Sequence, residues 1–363
     1  MTASPTRILI VDDSVVVRKV LSEFVSSDPA LELAGTAPNG SIALQKLTQL
    51  SVDVVVMDVE MPGMDGIETV AALRKDWPRL PVLMCSTLTA RGADATLRAL
   101  AAGATDYVAK PSAMGNSDGL TGFKTEFLRK LEALGSIRRP STFQAPPPAP
   151  RRDSTRRAPS KRPAILAIGC STGGPNALAR IFADLPRDMG VPIVITQHMP
   201  PLFTRMLAER LTATSALHVK EAEHGDELVP NVAYIAPGDY HMALVRDGVK
   251  VRVALNQDPP ENSCRPAVDV MFRSVASMYG PDVLAAVLTG MGQDGALGAR
   301  AIAEAGGWVM TQDAASCVVP SMPNAVVAMG ASHESADLEQ LGTLFAFRCK
   351  PNAGMPARWA AAR

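Results

Sequence analysis

Three acids and a lysine, each following a short apolar run, offer the first chemistry in this chain. Asp12 and Asp13 close the run Arg7-Ile8-Leu9-Ile10-Val11, Asp58 closes Val54-Val55-Val56-Met57, and Lys110 follows Tyr107-Val108-Ala109. Such runs read as buried strands of a parallel sheet. An open parallel sheet presents its ligands at the carboxyl ends of its strands, so the four side chains are expected at one edge. Three carboxylates a few Å apart repel one another, and a hard divalent ion with oxygen ligands, such as Mg²⁺, neutralises them. The chemistry expected is transfer of a phosphoryl group to a carboxylate: Asp12 and Asp13 hold the metal, Asp58 attacks phosphorus, and Lys110 pairs with the phosphoryl oxygens. The backbone carbonyl of Glu60, two residues past the acceptor, could complete the metal shell. Ser86 and Thr87 compete as the hydroxyl that binds the phosphoryl group, and Tyr107 could change rotamer as that hydroxyl moves.

A second constellation follows. Gly169-Cys170-Ser171-Thr172-Gly173 fits G-x-S-x-G, with a strand-like run before it and a helical pattern after it, the context that motif requires. The serine then lies beside a helix N-terminus, whose free N–H groups favour negative charge. A tight turn without chemistry is one competing reading. A phosphate loop is another, although the P-loop lysine and a full G-x-G-x-x-G are missing. Serine needs a base. Of the five histidines, His198 directly follows a strand and so shares the edge with Ser171, whereas His218, His224, His241 and His333 do not carry that placement. An acid must orient the imidazole. Asp294, in the turn Gly290-Met291-Gly292-Gln293-Asp294-Gly295 after strand Val283–Leu288, is the candidate; Asp313 is the better of two competitors, and Asp269 falls inside a helix.

The elements that position these groups are legible as periodicity. The chain has 363 residues, 47% apolar and 20% charged, with a formal net charge of zero. That is ordinary for a soluble globular protein of two or three domains, and bulk charge points to neither nucleic acid nor membrane. Strand and helix patterns alternate five times through residue ~135, implying a parallel sheet covered on both faces. Residues 138–163 hold seven prolines, eight basic residues and one acid. That composition reads as a stiff, partly extended, flexible linker. A second α/β unit begins at Ala164, and residues ~215 to 255 look antiparallel, with Asp247-Gly248 turning a hairpin. The domains expected are 1–137, the linker 138–163, 164–350, and a disordered tail 351–363. Five scattered cysteines make no zinc spacing, and with no apparent secretion signal or membrane span they read as reduced thiols of a cytoplasmic protein.

The amino-terminal third resembles the receiver domain of two-component response regulators, on Asp12-Asp13, Asp58, Met61-Pro62-Gly63-Met64-Asp65-Gly66 and Lys110-Pro111. The resemblance implies a flavodoxin-like (βα)5 fold, phosphorylation at Asp58 with Mg²⁺, and Ser86 as the switch hydroxyl. The remainder resembles the chemotaxis-receptor glutamate methylesterase family, on Gly169-Cys170-Ser171-Thr172-Gly173-Gly174, Thr196-Gln197-His198-Met199-Pro200, Tyr234-Ile235-Ala236-Pro237-Gly238-Asp239 and Leu288-Thr289-Gly290-Met291-Gly292-Gln293-Asp294-Gly295. It implies a doubly wound, mostly parallel hydrolytic domain with Ser171, His198 and Asp294 as nucleophile, base and orienting acid. The Thr172 N–H, and with it the Met291 N–H, would hold the oxyanion; no cofactor is expected there. Cys170 departs from the family's usual alanine and raises a thiol alternative, discounted because the serine holds the motif position. The implied partners are a chemotaxis histidine kinase as phosphodonor and methyl-accepting chemotaxis receptors as substrate, with no nucleic acid and no membrane insertion. The rivals are a phosphorylation-gated binding module whose second domain is inactive, and a transcriptional regulator. The latter needs a helix-turn-helix where residues 164–363 show strands.

Overall fold

The computed structural model describes residues 4–111, 117–136 and 162–350. The chain divides into two units, residues 1–143 and 144–363, and each is taken by itself. Most of the proposed linker and all of the proposed tail lie outside the described residues.

The first unit alternates β1 (Thr6–Val11), α1 (Val15–Ser26), β2 (Leu31–Ala37), α2 (Gly40–Leu47), β3 (Val54–Asp58), α3 (Gly66–Asp76), β4 (Val82–Thr87), α4 (Ala90–Ala101), β5 (Asp106–Lys110) and α5 (Ser117–Gly135). The strands form one parallel sheet in the order β2-β1-β3-β4-β5. Ile8, Leu9, Ile10, Val54, Val55 and Val56 are fully buried, which is why they are apolar on both faces of their strands; each such side chain contributes about 1.5–3 kcal/mol relative to exposure. Helix starts follow the capping chemistry. Asn39 accepts from Ile42 N at 3.0 Å, and Asp65 makes a reciprocal capping box with Glu68, each satisfying otherwise orphaned amides. The order reverses between β1 and β3, so the carboxyl ends of those strands open a crevice. Asp12 follows β1, Asp58 ends β3 and Lys110 ends β5.

The second unit runs β6 (Ile165–Cys170), α6 (Gly174–Asp184), β7 (Ile193–Gln197), α7 (Phe203–Thr214), β8 (His218–Glu221), β9 (Val232–Ile235), β10 (His241–Asp247), β11 (Lys250–Asn256), α8 (Val268–Tyr279), β12 (Val283–Val287), α9 (Ala296–Glu304), β13 (Trp308–Gln312), α10 (Ser321–Ala328), β14 (Glu334–Ala336) and α11 (Leu338–Cys349). Seven strands form a sheet in the order β14-β13-β12-β6-β7-β9-β8, every pairing parallel. The chain enters at β6 in the middle, builds outward through β7, and crosses back to β12. The crevice therefore opens where β6, β7 and β12 end.

Two expectations need correction. Residues ~215 to 255 are not antiparallel throughout: β8 pairs parallel with β9, and β9 parallel with β7. The connection between β8 and β9 does not fold back as a hairpin; it reaches out to β11, where Glu227 bridges Arg252. Only β10 and β11 run antiparallel, as a separate ribbon. Its turn also sits one residue later, because Asp247 pairs with Lys250 and leaves Gly248-Val249 as the loop. Gly248, at φ 60°, supplies the positive dihedral that such turns demand.

Candidate active sites

At the edge of the first sheet, Asp12, Asp13 and Asp58 place carboxylate oxygens within 4.8 Å of one another. Lys110 Nζ lies 2.8 Å from both Asp12 Oδ2 and Asp58 Oδ1. Asp12 is held by the Ser14 N–H on Oδ1 at 2.9 Å. Asp58 Oδ1 also accepts from Val59 N at 2.9 Å, which leaves Oδ2 without a hydrogen-bond partner among the described residues. Burial pushes the Asp58 carboxyl up to about 6, against the pull of Lys110. Lys110 loses hydration on burial, yet the adjoining carboxylates hold its pKa above the ordinary lysine value. Three oxygen donors of one sign around a crevice, with one ammonium among them, fit a hard divalent ion.

The flanking residues separate clearly. Ser86 is buried with Oγ on Gly92 O at 3.0 Å, while Thr87 is exposed and contacts Thr89. Ser86 is thus the hydroxyl that faces inward, turned at present toward the start of α4. Tyr107 is buried, with Lys130 Nζ 5.0 Å from its ring centroid. The Glu60 side chain turns away to Arg91, at 3.0 Å.

In the second unit Ser171, His198 and Asp294 come together at one rim. Cys170 and Gln197 are register partners on β6 and β7, so Ser171 and His198 are the next residues on adjacent strands. Gln197, unnoticed in the sequence for this purpose, ties them: its Nε2 donates to the carbonyls of Ser171 at 3.1 Å and His198 at 3.2 Å. Gly290, after β12, passes so close that a Cβ there would lie 2.9 Å from Ser171 Cβ and 3.0 Å from its nitrogen. Only glycine permits that approach, and it carries the next residue, Met291, up to the serine. The amides of Thr172 and Met291 have no hydrogen-bond partner among the described residues.

His198 Nε2 lies 2.8 Å from Asp294 Oδ2. That oxygen also accepts from Val268 N at 2.6 Å, while Oδ1 accepts from Asp269 N at 3.0 Å, Asn262 Nδ2 at 3.0 Å and Gly295 N at 2.9 Å. Burial raises the Asp294 pKa, but the His198 hydrogen bond and charge, with the Val268 and Asp269 amides, outweigh it and hold the group below the ordinary carboxylate range. An ionised carboxylate is acceptor-only, so Nε2 carries the proton, and in the neutral ring Nδ1 carries the lone pair. Nδ1 faces Cys264 Sγ at 3.4 Å, and no hydrogen bond joins it to Ser171 Oγ among the described residues. Burial lowers the imidazole pKa, yet the hydrogen bonds to Asp294 and Cys264 push it up to about 9.

The competing residues lie elsewhere. Cys170 is fully buried, its thiol 3.9 Å from Thr196 O and its pKa raised by burial. Asp313 accepts from Ala315 N at the end of β13. His241 is buried between Pro259 O and Ala267 N, His224 accepts from Leu255 N, His333 stacks on Trp308, and His218 is exposed on β8. The thiol that touches the imidazole is Cys264, from the irregular segment before α8, where no periodicity marks a return to the sheet edge. Asp269 had one signal: it stands three residues before Phe272, which places an acid on the apolar face of its helix.

A receiver-type acid pocket and a Ser/His/Asp rim define a class: response regulators whose output unit is an α/β hydrolase. Residues 8–117 match the response regulator receiver domain family, and residues 166–345 match the CheB methylesterase family. A protein-glutamate methylesterase/protein-glutamine glutaminase from a Nocardioides species is 48% identical over 345 residues, covering 93% of each chain. Its counterpart from Trichodesmium erythraeum is 46% identical, covering 92% of this chain and 96% of its own. The crystal structure of the Thermotoga maritima CheB methylesterase catalytic domain superposes with a TM-score of 0.50 at 41% identity, over 51% of this chain and 98% of its own. This chain belongs to the protein-glutamate methylesterase/protein-glutamine glutaminase family, with a receiver domain at its amino-terminal side.

Proposed function

We propose that this chain hydrolyses γ-glutamyl methyl esters on methyl-accepting chemotaxis receptors and deamidates selected glutamines there, at a rate set by phosphorylation of Asp58. The observation that carries the reading is the meeting of Ser171, two unpartnered amides and the His198–Asp294 pair at the ends of β6, β7 and β12. Ser171 Oγ attacks the ester carbon as His198 Nδ1 takes its proton. Asp294 keeps the other proton on Nε2 and balances the imidazolium. The Thr172 and Met291 N–H groups hold the oxyanion, each worth about 10²–10³ in rate. Collapse expels methanol, which leaves with the proton from Nδ1; water then repeats the sequence and frees the glutamate carboxylate. A glutamine side chain follows the same route and releases ammonia.

In the receiver, Asp58 Oδ2 is the oxygen that attacks phosphorus, and Lys110 then pairs with the phosphoryl oxygens, with Ser86 rotating toward them and Tyr107 following. Asp12, Asp13, Asp58 and the Glu60 carbonyl would hold Mg²⁺, which supplies neutralising charge to the phosphoryl group. The phosphodonor is a chemotaxis histidine kinase, and the working compartment is the cytoplasm; among the described residues no helix is long and apolar enough to cross a membrane. The working division is a receiver over 1–137, a connector over 138–163, a catalytic unit over 164–350 and a tail over 351–363.

Methanol release from methyl-labelled receptor membranes tests this directly. A small acyl-phosphate donor should raise the rate for the parent chain and leave Asp58→Asn unstimulated, with no phosphoryl label retained. Absence of methanol from the parent chain ends the reading.

One observation favours a second reading: Cys264, not Ser171, touches His198. If the thiol were the nucleophile, Cys264→Ala would abolish turnover. With Ser171 as nucleophile, Cys264→Ala keeps turnover and loses one hydrogen bond that raises the imidazole pKa. The rising limb of kcat/KM against pH then moves to lower pH, because neutral His198 is the active form.

A further inference from the structure

The rim contains a second buried acid. α8 and α9 begin without side-chain N-caps of their own, at Ala267 and Gly295. Each takes a carboxylate from the other helix's side. Asp294, just before α9, accepts from the first two amides of α8, Val268 and Asp269. Asp269, in α8, accepts on Oδ1 from the Gly298 amide of α9 at 2.6 Å. Gly298 allows that approach, since a Cβ there would meet Asp269 Cα and O at 3.2 Å. The two caps are then bridged by one group: Asn262 Nδ2 lies 3.0 Å from Asp269 Oδ2 and 3.0 Å from Asp294 Oδ1.

That bridge has one workable orientation. Both of its neighbours are acceptors, so the NH₂ end of Asn262 must point inward. With Asp294 alone, the amide would keep a single hydrogen bond and could rotate about it; Asp269 fixes the second hydrogen. The Asn262 backbone stands at φ 53°, a left-handed region that asparagine tolerates better than most residues. Asp269 is only 1% exposed, yet it lines a cavity of about 380 Å³ with Asn262 and Gln293, so protons and water can reach it.

We propose that Asn262 and Asp269 are positioning residues: they fix the rotation of the Asp294 carboxylate and, through it, the ring of His198. The inference rests on the reading of Ser171, His198 and Asp294 as the reacting set. Three of the five donors on Asp294 converge on Oδ1, and this leaves Oδ2 to Nε2 and the Val268 amide. The charged groups that face Asp269 are Asp294 from the turn before α9, Glu261 from the preceding loop, and Arg273 from α8, which pairs with Glu261 at 2.7 and 2.6 Å. α9 itself contributes the uncharged Gly298 amide.

The test is steady-state methyl-ester hydrolysis by the full-length chain, phosphorylated, as a function of pH. Asn262→Gly keeps the backbone freedom and removes the bridge; Asp269→Asn removes one negative charge. Each should lower kcat about tenfold, the scale of one charge-assisted hydrogen bond felt in the transition state, with KM unchanged. The pH limbs move in opposite directions. Asn262→Gly leaves Asp294 less neutralised, which strengthens the imidazolium and shifts the rising limb to higher pH. Asp269→Asn weakens the imidazolium and shifts it to lower pH. Parent-level kcat in Asn262→Gly, or a fall in both variants with the limb unmoved, overturns the proposal. Asn262 is exposed, so its variant remains informative should Asp269→Asn fail to fold. Ser171→Ala run alongside separates the two levels: full activity there removes the esterase reading itself, whereas an inactive Ser171→Ala beside an unaffected Asn262→Gly removes only the positioning role.

Discussion

Ser171→Ala should slow methanol release from methylated receptors by about 10⁶, the scale seen when the nucleophile of a serine triad is removed. The reason is local. The neighbouring Thr172 hydroxyl is buried, so Ser171 is the hydroxyl at the start of α6 that meets the rim beside the amides of Thr172 and Met291. Cys170, the next residue back, cannot substitute, because its thiol points into the sheet against Thr196 O and burial keeps it protonated. Cys264 is different: its Sγ touches His198 Nδ1. Any activity left in Ser171→Ala should therefore be lost on adding Cys264→Ala. Phosphorylation of Asp58 should be unaffected in both, since its machinery lies wholly in the first unit. A Ser171→Ala chain that releases methanol within about tenfold of the parent would remove serine catalysis.

The proposed reacting groups were readable because each stands where a strand ends, and strand ends are marked by apolar runs giving way to polar residues. Asp58, Lys110, Ser171 and His198 all follow that rule, and the glycines around Asp294 mark the turn that brings it in. The resemblance to known families narrowed the choice where the residues left alternatives, as between Ser86 and Thr87. What periodicity could not show was the return of an irregular segment to the same rim. Asn262 and Cys264 lie between β11 and α8 and are placed by tertiary contacts, so their spacing carries no signal. Strand direction failed for a similar reason. β8 and β9 stand directly before the hairpin in sequence, but β9 pairs with β7, 40 residues away in sequence for each matched pair, and long-range pairing overrides local pattern.

The two sites solve one electrostatic problem in different ways. Both gather buried carboxylates at the carboxyl end of a parallel sheet. In the receiver the compensation is a side-chain charge, Lys110, which sits 2.8 Å from Asp12 and Asp58. At the esterase rim the compensation is fixed: backbone amides of α8 and the turn before α9 surround Asp294. A fixed environment suits a group that must hold one geometry through every turnover, and a side-chain cation suits a group whose charge changes with signalling state.

Asp294→Asn should reduce kcat by about 10⁴, the effect of reversing the histidine tautomer in a serine triad. Asp294 accepts five hydrogen bonds, and asparagine brings one acceptor oxygen and two donor hydrogens. If that oxygen takes the Oδ1 position, with the Asp269 and Gly295 amides, the NH₂ faces Nε2 and the Val268 amide. His198 then takes its proton on Nδ1, the atom that has to accept from Ser171. If the oxygen takes the Oδ2 position, with His198 and the Val268 amide, the Asp269 amide of α8 loses its acceptor, at a cost of about 0.5–2 kcal/mol. The imidazole also loses its principal source of a raised pKa, so residual activity should show its rising limb at lower pH than the parent's. Paired measurements of kcat against pH and of thermal midpoint distinguish the two rotamers of the new amide. A variant with parent-level kcat and an unmoved limb would mean that Asp294 serves only to close α8, and that His198 acts without it.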